Sequence, residues 1–251
     1  MQSESSTPGD LRRTGKPFAT TQWSLVMAVG ASSSAERVVA LESLCSRYWP
    51  PLYSFARHQG WSAHDAEDLI QDFIAFLLSR PVLECADPSR GRFRSFLLAS
   101  LKNFMANARA KAHAQKRGGG MTRVSIDFSS AECGLGEELR DRSSEGVFER
   151  RWAITVLQKS LETVRSEYSD PSRRALFEAL QPCLAGDRTE LSYGQIGDEL
   201  GMTEGAVKVA VHRLRRRYRE ALRAEVASTL AREEDLEDEL RTLTRLVSAG
   251  S

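Results

Sequence analysis

The chain has 251 residues, 41% of them hydrophobic and 27% charged, with 35 lysines and arginines against 34 acids and a formal charge of +1. That much apolar material builds one or two packed domains and excludes a wholly disordered chain. No apolar run is long enough to cross a bilayer, and the N-terminal "MQSESSTPGDLRRTGKPF" has no apolar stretch between its charges and a cleavage site, so neither a membrane span nor a secretory leader is expected and the cytoplasm is the expected compartment.

Residues 1–21 are rich in Ser, Thr and Gly and read as a loose tail. From Trp23 onward the pattern is helical almost throughout. Ser34 is placed to cap a helix through "AERVVALESLCSRY", which Pro50 and Pro51 are expected to break or kink before "LYSFARHQ" resumes and Gly60 ends it. Ser62 with Asp65 three residues on forms a capping box for a helix over 63–80, closed by Pro81. That helix pairs a broad apolar side (Leu69, Ile70, Phe73, Ile74, Leu77) with acids at Asp65, Glu67, Asp68 and Asp72. The helix dipole accounts for acids in the first turn but not for Asp72, and an acidic ridge flanked by apolar residues suits docking to a basic protein.

After the loop "ECADPSRGR", a long helix is expected from Phe93 until Gly118, Gly119 and Gly120 stop it, with Phe93, Leu97, Leu101, Phe104 and Ala108 as its buried stripe. Aromatic residues and cations interleave along it. Such interleaving suits single-stranded nucleic acid, where bases stack on rings and cations track the backbone, and Phe96 and Asn103 are better placed for contact than the core candidates Phe93 and Phe104. These elements make a first helical domain over 22–116.

Residues 117–145 mix Gly, Ser and charge without a sustained period and read as a flexible linker, with a brief strand-like pattern at "TRVSIDF". A second helical domain is expected over 146–227. It starts with "VFERRWAITVLQKSLETVRSEY", stops before Pro171, and continues with "SRRALFEALQPCL". The stretch "LSYGQIGDELGMTEGAVKVAVHRLRRRYREALR" then has the layout of a helix-turn-helix. Ser192 caps its first helix, Gly201 takes the left-handed turn position, and Thr203 caps the second. Ile196, Leu200, Val207, Val211 and Leu214 face inward, and Gly197 is small where the helices cross. The second helix shows Glu204, Lys208, Val209 and His212 outward at the end such motifs insert into the major groove. Lys208, Arg213, Arg215, Arg216, Arg217, Arg219 and Arg223 crowd a few turns and repel one another unless a polyanion is near. A solvated arginine-rich face is the bland alternative to DNA binding. The predicted fold class is therefore all-α, two small helical domains joined by a flexible linker, the second with the helix-turn-helix.

No catalytic or metal centre is expected. Cys45, Cys85, Cys133 and Cys183 are scattered without a C-x-x-C pair, His58, His64, His113 and His212 stand in no metal-ligand spacing, and "RGGGMTR" lacks the lysine-hydroxyl ending of a P-loop.

Through these stretches the chain resembles bacterial RNA polymerase sigma factors of the extracytoplasmic-function group across roughly 22–227. "YWPPLYSFARHQGWSAHDAEDLIQDFIAFLL" is similar to the family's polymerase-binding region, with D-A-E-D-L-x-Q as its signature. The resemblance implies that Asp65, Glu67, Asp68, Gln71 and Asp72 meet the clamp helices of the beta-prime subunit. "DPSRGRFRSFLLASLKNFMANARAKAHAQKR" resembles the segment that opens and reads the minus-ten element, which puts Arg92, Arg94, Phe96, Lys102 and Asn103 on DNA. The helix-turn-helix resembles the minus-thirty-five reader, with Thr203, Glu204, Lys208, His212, Arg213, Arg215 and Arg216 as its contacts. The implied partners are core RNA polymerase, through its beta-prime and beta subunits, promoter DNA, and an anti-sigma factor or other regulator; no cofactor is implied. A free-standing helix-turn-helix regulator is the alternative.

Three departures from the family pattern stand out. Val209 and Ala210 replace a polar pair common after the helix lysine, so base contacts shift or become apolar, for example to a thymine methyl. The stretch 168–190 is longer than the usual connection. The extension 228–251, with "REEDLEDELRTLTRLV", is additional: Leu236, Leu240, Leu243 and Val247 lie at helical spacing, and its acids either screen the arginines of 213–219 or belong to a helix that packs on the second domain.

Overall fold

The computed structural model describes residues 34–78, 92–114, 143–185, 192–230, 232 and 235–248, and all of its regular elements are helical. The expected N-terminal tail, the loop after the second helix, nearly all of the linker with its strand-like "TRVSIDF", and the glycines 118–120 lie outside the described residues. The helices are α1 (Ser34–His58), α2 (Ala63–Leu78), α3 (Phe93–Ala114), α4 (Ser144–Ser166), α5 (Pro171–Leu180) followed by a 3₁₀ turn (Gln181–Ala185), α6 (Tyr193–Leu200), α7 (Glu204–Ser228) and α8 (Leu236–Ser248).

Most boundaries follow from local chemistry. Ser62 Oγ accepts from the Asp65 amide at 3.2 Å and donates to its carboxylate at 2.7 Å, opening α2. Ser143 caps α4 by accepting from Gly146 N, and Asp170 caps α5 ahead of Pro171 at its first turn. Of the break or kink expected at Pro50 and Pro51, the break does not occur: α1 runs through both. Proline removes backbone hydrogen bonds at this point, and the burial of Leu52, Tyr53, Phe55 and Ala56 just beyond it offsets the loss.

Two buried clusters organise the chain. The first gathers Tyr48, Leu52, Phe55, Ile70, Phe73, Phe93, Leu97 and Leu101 from α1–α3. It also takes Phe148, Trp152, Ala153 and Val156 from α4, Val226 and Leu230 at the end of α7, and Leu243 of α8. The second joins Val164 at the far end of α4 to Phe177, Leu180, Cys183, Ile196, Val207, Val211 and Leu214. Helix α4 is thus a shared beam, its N-terminal turns in one core and its C-terminal turn in the other. Polar ties follow the same route: Arg47 of α1 binds Glu225 of α7 at 2.6 Å, and Ser144 Oγ lies 2.8 Å from His58 Nδ1 and 2.7 Å from Gln59 Nε2.

The helix-turn-helix depends on glycines at two points. Gly201 has φ +65°, the left-handed conformation that closes α6, and a Cβ on Gly197 would stand 2.5 Å from the Met202 carbonyl oxygen. The neighbour in the second case is backbone, which cannot swing aside. Gly197→Ala is expected to cost about 1–3 kcal/mol through overpacking, whereas Gly205→Ala, with nothing within 4 Å of its added Cβ, should be neutral or slightly stabilising. Urea denaturation of the two variants beside the parent checks this pair.

Candidate nucleic-acid interface

Helices α6 and α7 place the expected groove residues where the sequence puts them. Ser192 and Gln195 form a reciprocal capping box on α6, and Thr203 caps α7 by accepting from Ala206 N at 3.2 Å. Ile196, Val207, Val211 and Leu214 are buried beneath, with Leu200 packed against them, so α7 turns Glu204, Lys208, Val209 and His212 outward. Val209 is 51% exposed, an apolar tip among polar neighbours.

The arginine cluster is not left to repel itself. Lys208 pairs with Glu204 at 2.7 Å, Arg216 with Glu220 at 2.9 Å, and Arg217 with both Glu167 at 2.7 Å and Glu220 at 3.1 Å. Hydrogen bonds donated to these acids hold Lys208 and Arg217 above their ordinary pKa values, while Arg216 and Arg217 hold the Glu220 carboxyl below its own. Arg215 differs from its neighbours. It is half-buried and donates through Nε and Nη2 to the Cys183 carbonyl at 3.1 and 2.9 Å, pinning the 3₁₀ turn to α7. A groove of about 560 Å³ runs beside it, with Leu184, Tyr193, Val211 and Tyr218 as apolar lining and Lys208, His212 and Arg219 as polar lining. Thr203, Glu204, Lys208, His212, Arg213 and Arg216 are all exposed on this same helix.

The second predicted surface, on α3, is arranged differently. Asn103 is exposed and Phe96 half-buried, stacked on Phe93 with ring centroids 6.0 Å apart. Three cations of this surface, Arg92, Arg94 and Lys102, meet carboxylates from the C-terminal half of the chain. Lys102 pairs with Glu145 at the start of α4, which holds the Glu145 carboxyl below its ordinary pKa. Arg94, only 3% exposed, lies 2.7 Å from Glu149 of α4 and also meets Glu239 of α8. Its guanidinium stacks over the Trp152 ring at 4.1 Å. Burial lowers the pKa of Arg94, and the Glu149 charge opposes that shift. Arg92 reaches the other oxygen of Glu239 at 3.0 Å. Glu145, Glu149, Glu239 and Trp152 are absent from the residues singled out in the sequence. Glu239 left a trace there: it falls at helical spacing with Leu236, Leu243 and Leu246, a carboxylate on the apolar side of its helix.

The acidic residues of α2 fall on two adjoining lines. Spacings of three and four put Asp65, Asp68, Asp72 and Phe76 on one, and Glu67 and Gln71 on the next. Asp65 and Asp72 are exposed, Glu67, Asp68 and Gln71 half-exposed, and Phe76 is 37% exposed against Phe104. The far side of the helix, with Ile70, Phe73 and Ile74, is fully in the first core.

An all-helical chain with a capped helix-turn-helix, an arginine-rich second helix and a separate aromatic-cationic helix has the build of a nucleic-acid-binding transcription protein. Residues 44–115 match the family model of Sigma-70 region 2, a span that covers α2, α3 and the C-terminal part of α1. The likeness is to that region alone, over less than a third of the chain. Neither a curated protein nor a solved structure matches the chain. Among the described residues no helix is long and apolar enough to cross a membrane.

Proposed function

We propose that this chain is a sigma factor of the extracytoplasmic-function group, acting in the cytoplasm as the promoter-specificity subunit of RNA polymerase. The observation that carries the reading is the region-2 match over 44–115, on the segment that bears both the acidic lines of α2 and the aromatic-cationic α3, in a chain whose later helices form a helix-turn-helix. Helix α2 docks on the beta-prime clamp helices through Asp65, Glu67, Asp68, Gln71 and Asp72. Helix α3 serves the minus-ten element through Arg92, Arg94, Phe96, Lys102 and Asn103, and α7 enters the groove at the minus-thirty-five element through Thr203, Glu204, Lys208, His212, Arg213, Arg215 and Arg216. Two linked contacts raise each other's effective concentration, so a nearly neutral chain needs no high affinity for DNA by itself. An anti-sigma factor or comparable regulator belongs to the same reading.

Core polymerase is expected to retain the purified chain, and run-off transcription from promoters selected out of a library is expected to require it. A chain that ignores core polymerase yet binds selected duplexes tightly alone is a free helix-turn-helix regulator instead. On α7, Arg213→Ala and Arg216→Ala are each expected to weaken duplex binding evenly across sequences and to reduce the salt slope, log K against log salt, by about 1. Anisotropy titrations at several salt concentrations measure that slope.

A further inference from the structure

Arg92, Arg94 and Lys102, on and just before α3, are each met from within the chain. Lys102 ends on Glu145, Arg94 on Glu149 and Glu239, and Arg92 on Glu239, so three cations face three carboxylates. A carboxylate oxygen 2.7–3.0 Å from a guanidinium nitrogen takes the place a phosphate oxygen would take. Glu239 is the deepest of the acids, fully buried between both arginines. Its helix is held by few other polar ties, Arg150 of α4 donating to the Leu246 and Val247 carbonyls at 3.1 Å each and Arg223 pairing with Glu237 at 2.7 Å, and by one apolar edge on which Leu243 is buried and Leu236, Leu240, Leu246 and Val247 pack partly buried against the first core.

We propose that α8 is an intramolecular cover over the nucleic-acid edge of α3, with Glu239 standing in for a phosphate, and that α8 leaves when a template strand takes its place. The proposal rests on the reading of Arg92, Arg94 and Lys102 as strand contacts. Arg94 at 3% exposure cannot touch a strand while Glu239 sits on it. A backbone phosphate carries the same single negative charge as Glu239, so it can replace the ionic part of what the two arginines lose. A buried ion pair also contributes little net stability once its desolvation is counted. A helix as short as α8, with 13 residues, does not hold itself together in water without packing, so it opens as a local unit that withdraws Leu243 and its apolar edge from the first core. Among the described tail acids Glu239 acts on Arg92 and Arg94, while Arg216 and Arg217 of α7 are paired with Glu220 and Glu167.

The test uses the full chain and a fluorescein-labelled single strand of mixed sequence, titrated by anisotropy at several salt concentrations. Glu239→Gln removes the stand-in charge, and Leu243→Ala loosens α8 with no change of charge. Both variants are expected to bind the strand several-fold more tightly than the parent. Both should also steepen the salt slope by roughly 0.7 for each cation released. Hydrogen exchange of 236–248 in the parent should rise when the strand is saturating. A parent whose α8 keeps its protection on the strand overturns the cover and makes α8 a permanent brace. So does a Leu243→Ala variant with faster exchange in α8 but unchanged affinity and slope, and so does failure of all three proteins to bind the strand. Retention on core polymerase, measured in parallel, separates the two ideas: its loss removes the sigma-factor reading while leaving an observed strand-driven opening of α8 intact.

Discussion

Trp152→Ala is expected to destabilise the chain by about 3–5 kcal/mol, a large part of a typical total of about 5–15 kcal/mol. Trp152 is fully buried in α4, in the cluster that draws on α1, α3, α7 and α8. Truncation leaves a cavity that the helices around it cannot all close, since each is fixed by other contacts. It also strips the ring from under Arg94, a buried cation whose remaining partners are Glu149 and Glu239. Because α4 carries Val164 into the second core as well, the loss should be felt in both halves. Guanidinium denaturation followed by circular dichroism should show one transition moved to lower denaturant. Trp152→Phe, which keeps a ring beneath the guanidinium, should recover part of the difference. Destabilisation below about 1 kcal/mol, or a helix-turn-helix that melts at its parental midpoint, contradicts the role of α4 as a shared beam.

How much of this was legible in the sequence depends on how local the cause is. The helix-turn-helix could be read almost atom by atom, because its caps at Ser192 and Thr203, the positive φ at Gly201 and the close approach at Gly197 are set by residues within a few positions of one another. The inward faces of α2 and α3 were legible for the same reason, since helical spacing alone sorts Leu69, Ile70 and Phe73 from Asp65, Asp68 and Asp72. At Pro50 and Pro51 a local rule met a tertiary one, and the break it allowed does not occur: the apolar residues after them are buried deeply enough to hold α1 continuous. The partners of the α3 cations were not legible at all. Arg94 and Glu239 are 145 positions apart, and no periodicity within either helix reveals which distant carboxylate a buried arginine will meet. The same holds for the crossing of the first core into α4, α7 and α8, where Phe148, Val226 and Leu243 read as ordinary apolar positions of their own helices.

Under the proposed function, reversing charge on one line of α2 should abolish polymerase binding while the fold survives. Asp68→Lys together with Asp72→Lys is expected to lower affinity for core polymerase by about a hundredfold or more, equivalent to about 2.7 kcal/mol, because like charges brought face to face across an interface cost several kcal/mol. Both side chains project from the half of α2 that faces away from the core, and Asp65, which caps the helix with Ser62, is untouched. Stability should therefore stay within about 0.5 kcal/mol of the parent. Glu67→Lys with Gln71→Lys, on the adjoining line, should cost less, for a physical reason: Asp68 and Asp72 lead along one line to the partly exposed Phe76, one turn beyond Asp72, so charge and apolar area are presented together there. An interface concentrates its energy where an apolar anchor is desolvated within a charged rim. Biolayer interferometry against immobilised core polymerase ranks the two pairs. Equal losses would spread the docking surface over both lines, and no loss from Asp68→Lys with Asp72→Lys would move it off α2 altogether.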